Sequence, residues 1–198
     1  MRSRFDEQLA LLNKEMIEMG ALCEEVIALA SKALTEADPE LAQRVAPLDA
    51  EIDQKERTVE SLCLKLLLQQ QPVARDLRQI SAALKMITDM ERIGDQAEDI
   101  AEIVAFLDGR QAENDALLKE MAKAVIQMVT ESVDAYVKCD IMLAKKVIAA
   151  DDVVDEQFAR VKQSLIGKIA ADPADGEYAL DLLMIAKSVS YTHLTLPT

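Results

Sequence analysis

Tryptophan is absent from this chain of 198 residues, and all aromatics together make up only 3% of it. Strands favour aromatic and β-branched side chains, so this composition speaks against a sheet protein. Glycine and proline are scarce as well, five of each, which leaves few places to turn and requires long elements. Histidine occurs once, at His193, so no Glu-x-x-His pairs exist to build a ferritin-like di-iron bundle. The three cysteines, Cys23, Cys63 and Cys139, are far apart and form no CxxC. They are expected to be small buried hydrophobes in a reducing compartment.

Positive charge is also in short supply. Against 36 Asp and Glu stand 22 Lys and Arg, a net charge of −14. A nucleic-acid backbone needs clustered cations, so no nucleic-acid partner is expected. Docking on an anionic lipid surface is disfavoured for the same reason. No apolar run approaches the roughly 20 residues that cross a bilayer. The longest, Leu62 to Leu68, is interrupted by Lys65. The opening MRSRFDEQLALL carries acids early and lacks the apolar core of a secretory signal. A cytoplasmic protein without membrane insertion is expected, with basic protein surfaces or cations as partners.

What remains is a helix vocabulary of Ala, Leu, Ile, Val, Met, Glu, Lys and Gln, and it is written in heptads. Phe5, Leu9, Leu12, Met16, Met19, Cys23, Val26, Ala30 and Ala33 alternate in steps of four and three, the seam of a helix packed lengthwise. Asp38-Pro39 marks a break with a capping Asp and a first-turn Pro. A second helix follows through Val45, Leu48, Ile52, Val59, Leu62 and Leu66. It ends near Gln69-Gln70-Gln71, where Pro72 opens a third that Asp108-Gly109 terminates.

The rhythm then restarts with Leu118, Met121, Val125, Met128, Ser132, Ala135 and Cys139. A fifth helix runs from about Asp140 to Ala170, and Asp172-Pro173 precedes a sixth. A shift of 102 residues carries Asp38, Leu41, Ala42, Val45, Asp49 and Asp53 onto Asp140, Leu143, Ala144, Val147, Asp151 and Asp155. The expected fold is all-α, two tandem three-helix bundles related by internal duplication.

One stretch conflicts with simple packing. DMERIGDQAEDI, Asp89 to Ile100, is crowded with acids and has only Arg92 to answer them. On a helix, Glu91, Asp95, Glu98 and Glu102 form one stripe, and like charges at i,i+4 repel. Asp49, Asp53, Glu56 and Glu60 repeat those offsets on the preceding helix. An antiparallel hairpin turning near Gln71 sets Asp49 level with Glu91. Lys85 then stands opposite Glu56 and Arg44 opposite Glu98, leaving Asp49, Asp53, Glu91 and Asp95 as an uncompensated inner four. Oxygen ligands in that number suit Mg²⁺, Mn²⁺, Ca²⁺ or iron. Gly94 beside Asp95 costs helix stability, and its missing side chain admits a close neighbour.

The run QQPVARDLRQISAALKMITDMERIGDQAEDIAEI resembles the PhoU family, regulators that accompany the bacterial phosphate ABC transporter. The segments Pro72 to Arg78 and Glu91 to Asp95 carry the resemblance, and it extends from residue 1 to about 187. It implies two three-helix bundles, each with paired acidic motifs that hold a divalent or trivalent metal cluster (iron, Mn, Mg or Zn). Asp49, Asp53, Glu91 and Asp95 complete the first pair, and Asp151 and Asp155 match in the second repeat.

The resemblance further implies a non-enzymatic adaptor. It would restrain phosphate uptake and the phosphate-starvation response by linking the transporter's ATPase subunit to a sensor histidine kinase, as a homodimer. Arg75, Asp76 and Arg78 are candidate partner contacts. A carboxylate-rich metal-binding or metal-storage bundle is the alternative. The pattern departs after Lys187: SVSYTHLTLPT replaces a second Glu-Arg-x-Gly-Asp, and Ser190 and Leu194 occupy the places of Glu91 and Asp95. The expected divisions are 1–108 and 109–187 for the two bundles, the second incomplete, and 188–198 for a foreign tail.

Overall fold

The computed structural model describes residues 2–69, 73–107 and 115–192, and among these every element is helical. Helix α1 spans Arg2–Glu36, α2 Pro39–Ala42, α3 Val45–Gln69 and α4 Ala74–Phe106. The second half comprises α5 (Asp115–Lys138), α6 (Ile141–Ala171), a 3-10 turn (Pro173–Asp175) and α7 (Gly176–Tyr191). The turn expected at Gln70 to Pro72 and the stop at Asp108-Gly109 lie outside the described residues.

The heptads become the core. In the α1 seam Leu12, Met16, Met19, Cys23, Val26, Ala30 and Ala33 are completely buried, and Phe5 nearly so. Each large apolar side chain withdrawn from water contributes about 1.5–3 kcal/mol. Helices α3 and α4 pack on α1 to close a first three-helix bundle, and α5, α6 and α7 form a second. The bundles abut through α1 against α5 and α4 against α7. A Cβ built on Gly20 of α1 would stand 2.9 Å from Val133 Cγ2 of α5, so this glycine sets how closely the two halves approach.

The duplication reaches the backbone. Asp38 accepts from the amides of Glu40 and Leu41 at 2.8 and 3.3 Å, and Asp140 from Met142 and Leu143 at 2.9 and 3.0 Å. Both follow a left-handed residue, Ala37 (φ 51°) and Cys139 (φ 52°). In each case the amide after it reaches five positions back, Asp38 to the Ala33 carbonyl and Asp140 to that of Ala135. Both α1 and α5 therefore end in a Schellman motif without the usual glycine.

Four expectations need correction. Cys139 is exposed because it sits at the helix terminus and not on the seam, whereas Cys23 and Cys63 are buried as expected. The second helix is interrupted: α2 is a single turn, and Gln43-Arg44 separate it from α3. Pro47 explains the break, since it has no amide to donate to the Gln43 carbonyl and its ring crowds that group. The hairpin register, treated below, is shifted. Finally, helical character does not stop at Lys187. Helix α7 continues through Tyr191 with Ser188, Val189 and Ser190 buried, so the foreign tail expected from residue 188 does not begin there. His193 and Leu194 lie outside the described residues.

A left-handed alanine is strained where glycine is not. Ala37→Gly, and its repeat equivalent Cys139→Gly, should each stabilise the fold by roughly 0.5–1 kcal/mol, read as a higher urea midpoint with unchanged slope. A loss of stability in both would refute the capping assignment.

Candidate metal centre

The acidic stripes of α3 and α4 lie along their shared face because the apolar residues between them are committed to the core. On α3, Ile52 and Val59 point inward; on α4, Met90, Ile93 and Ala97 do. The residues one helical step away, Asp49, Asp53 and Glu56 on α3 and Glu91 and Glu98 on α4, are left half-buried at the margin, with Asp95 exposed.

Register decides who meets whom. Asp49 lies twenty residues before the end of α3, and Gly94 twenty residues after the start of α4. The structure pairs these two: a Cβ on Gly94 would fall 2.2 Å from Asp49 Oδ1 and 3.5 Å from Ile52 Cδ1. Asp49 is thus level with Gly94 and not with Glu91, about one turn from expectation, because a turn near Gln71 lies 22 residues past Asp49 and equal rise carries that level to Ile93 and Gly94, beyond Glu91. Gly94 is the notch that receives the Asp49 carboxylate.

The charges in this groove are poorly compensated. Asp49 Oδ1 is buried and has no hydrogen-bond partner among the described residues. Desolvation, followed by the neighbouring Glu98, Asp53 and Asp95, pushes the Asp49 carboxyl up to about 6. Glu91 is raised by desolvation and then by Asp95, Glu56, Asp53 and Asp49. Asp95 is raised by desolvation, Asp53 and Asp99. Glu56 is raised by desolvation, Glu60 and Asp53, with Arg57 opposing.

Nearby cations are engaged elsewhere. Lys55 binds Glu15 at 2.6 Å and also Glu18 on α1. Arg92 bridges Asp89 at 3.0 Å, away from the groove as its position on the helix implies. Lys85 and Arg44 form no ion pair with Glu56 or Glu98 among the described residues, so those two acids join the inner four instead of leaving them. Their membership was readable from the shared offsets, and the assumed cross-hairpin partners obscured it. Asp53 is the exception within the four, meeting Arg57 Nη2 at 3.3 Å, an exposed i,i+4 pair of small worth.

An all-oxygen donor set with one orphaned buried oxygen fits a hard cation. Among the described residues, however, no three or more His, Cys, Asp or Glu side chains are gathered closely enough to hold an ion. Holding one requires the carboxylates to turn toward a common point. Asp49, Asp53, Glu56, Glu91, Asp95 and Glu98 are the residues that would do so.

The second repeat is less complete. Asp151 is half-buried and engaged with other groups, and Asp155 is exposed. Ser190, at the place of Glu91, donates to the Lys187 carbonyl at 2.7 Å. Arg75 and Arg78 are exposed and Asp76 half-buried in the first turn of α4. Asp76 suits the positive end of the helix dipole and the arginines do not. Neither arginine forms an ion pair among the described residues.

The raised Asp49 carboxyl has a signed consequence. Between the ordinary carboxylate range and pH 6 the folded state keeps a proton that the unfolded chain has lost, so stability falls as pH rises through that window. In chelator-treated protein, Asp49→Asn should flatten this slope and raise stability at pH 7.5 by about 1 kcal/mol, after discounting for solvent screening. A wild-type urea midpoint that does not change between pH 4 and 6.5 would contradict the electrostatic reading.

Comparison with known proteins gives this architecture its relatives. A PhoU domain is matched twice, at residues 16–104 and 118–190, so the second match runs past Lys187. The phosphate-specific transport system accessory protein PhoU homolog of Aquifex aeolicus is 35% identical over 186 residues, 91% of this chain and 82% of that protein. The corresponding homolog of Pseudomonas aeruginosa is 31% identical over 94% of this chain and 78% of its own. The crystal structure of PhoU from Pseudomonas aeruginosa superposes with a TM-score of 0.89 at 30% identity, covering 95% of this chain and 91% of that one. The phosphate transport system regulatory protein PhoU of Streptococcus pneumoniae gives 0.86 at 25% identity, covering 95% and 89%. On sequence and fold alike, the chain belongs to the PhoU family.

Proposed function

We propose that the chain is a non-catalytic regulatory adaptor of a phosphate transport system whose α3–α4 hairpin closes on a hard cation. The family is one of regulatory accessory proteins and not of enzymes, and relatives of similar length are named for the phosphate-specific transport system. The observation that carries the cation reading is the buried, unpartnered Asp49 Oδ1 seated against Gly94. A multivalent cation would remove the repulsion among Asp49, Asp53, Glu91 and Asp95 and so tie α3 to α4 beyond their apolar seam. In the second repeat, Asp151 and Asp155 would form a weaker, two-carboxylate site.

The adaptor reading assigns two protein partners, the transporter's ATPase subunit and a sensor histidine kinase, with restraint of uptake and of the starvation response as the output. Arg75, Asp76 and Arg78 support a contact surface at the start of α4, where exposed Val73 and Leu77 adjoin them. A homodimer is supported by the second bundle, where Ile141, Met142, Ile148, Leu180 and Met184 are exposed on α6 and α7. No described helix is long and apolar enough to cross a membrane. The two bundles are proposed as units of residues 1–108 and 109 onward, with cytoplasmic location.

Binding that favours the folded state raises the melting temperature. Mn²⁺ at a hundredfold over its dissociation constant should raise the wild-type Tm by several degrees, an effect worth about 2.7 kcal/mol. Asp95→Asn should lose most of that increase. Gly94→Ala should lose it while changing metal-free stability by no more than about 1 kcal/mol, the helix gain offsetting the displaced Asp49. Equal Mn²⁺ responses in all three proteins would end the cation reading. For the adaptor reading, pull-down should capture the ATPase subunit and the kinase, with weaker capture by Arg75→Glu/Arg78→Glu. Capture of neither by wild type would end it.

A further inference from the structure

The carboxylate stripes do not run the whole length of the hairpin. On α3 the steps that carry Asp53, Glu56 and Glu60 continue to Leu64, then to Leu67 and Leu68. On α4 the stripe of Glu91 and Asp95 runs back through Thr88, Leu84 and Ser81 to Leu77. Residues three or four apart share a helix face, so toward the hairpin tip the acidic face becomes an apolar one. The pairing of Asp49 with Gly94 fixes the register, and at equal rise it sets Leu64 level with Gln79, between Leu77 and Ser81. Val73, the N-cap of α4, stands at the end.

Leu64, Leu68, Val73 and Leu77 are all exposed, Leu68 to 85%. Four large apolar side chains gathered at one end of a helical pair are the mark of an interaction site. Two such rows on adjacent helices form the kind of surface that takes the apolar side of a third helix. The charge beside them selects the occupant. Glu60 lies one turn from Leu64, Glu56 one turn further, and Glu91 about 21 Å along α4 from Leu77. Of the described cations only Arg57 lies along these stripes, and it is engaged with Asp53 at 3.3 Å. An acidic segment or an anionic lipid surface meets those carboxylates and is repelled, whereas a basic segment is attracted.

We propose that this face docks an amphipathic helix of a partner protein, with apolar anchors on Leu64, Leu68, Val73 and Leu77 and Lys or Arg side chains directed at Glu60, Glu56 and Glu91. The positive end of a helix dipole also favours the carboxylates, so the basic half of the docked helix is its N-terminal half. The proposal rests on the adaptor reading and names the segment that such a partner presents. It uses the outer part of the hairpin, since the Asp49–Gly94 notch lies about 25 Å along α4 from Leu77.

Fluorescence anisotropy with the full chain, in chelator at physiological ionic strength, tests it. The probe is a labelled helical peptide of about 18 residues, lysine-rich in its N-terminal half and leucine-faced in its C-terminal half. One control peptide has glutamate for every lysine, and a second has the same composition with the leucines scattered around the helix. The probe should bind, and both controls should bind about tenfold more weakly or worse. Leu68→Ser/Leu77→Ser should weaken the probe by about tenfold, and Glu56→Gln/Glu60→Gln by about threefold. These leucines are exposed, so the variants keep the fold, checked by circular dichroism. No binding of the probe to wild type, either control binding equally well, or either variant binding as wild type does would overturn the proposal. A failed probe alongside pull-down of the ATPase subunit and the kinase overturns this docking face and leaves the adaptor reading standing. Probe binding with capture of neither ends the adaptor reading alone.

Discussion

The structure depends on an apolar seam strong enough to hold like charges together. Beneath the α3–α4 groove, Ile52, Val59, Met90, Ile93 and Ala97 are buried, each large side chain contributing a few kcal/mol. Carboxylate repulsion across a partly solvated groove is smaller than that sum. The hairpin therefore folds with its acids facing one another and does not splay to relieve them. The residual tension is concentrated at Asp49, which is pressed by the seam into the notch at Gly94 with one oxygen that meets no donor among the described residues.

Charge is consequently organised by face and not merely in excess. The cations best placed to neutralise the groove are turned away by their positions on the helices: Lys55 onto α1, Arg92 onto Asp89. The groove lies on the long helices that carry the core.

The repeat architecture shows the same economy at its turns. Ala37 and Cys139, 102 residues apart, share a left-handed backbone, and the following aspartates share a cap. The acid groove is copied less faithfully, since Ser190 stands where the first repeat has Glu91.

Most of the fold could be read from periodicity. The heptads of α1, α3 and α5 name the buried residues almost one for one, because a seam every three or four residues has only one way to avoid water. The paired aspartate caps and the carboxylate offsets were equally visible, being local in sequence. Three things were not. Pro47 breaks a helix whose apolar rhythm continues through it, so the pattern conceals the interruption. Cys139 completes a heptad on paper yet is the left-handed residue of the Schellman turn, in solvent. Most consequentially, residue spacing along one helix contains no statement about the other: a pivot displaced by a residue or two moves Asp49 from Glu91 to Gly94 and brings Glu56 and Glu98 into the cluster. Which residues share a stripe follows from 3.6 residues per turn. Which stripe atoms meet across a hairpin follows only from how the helices pack.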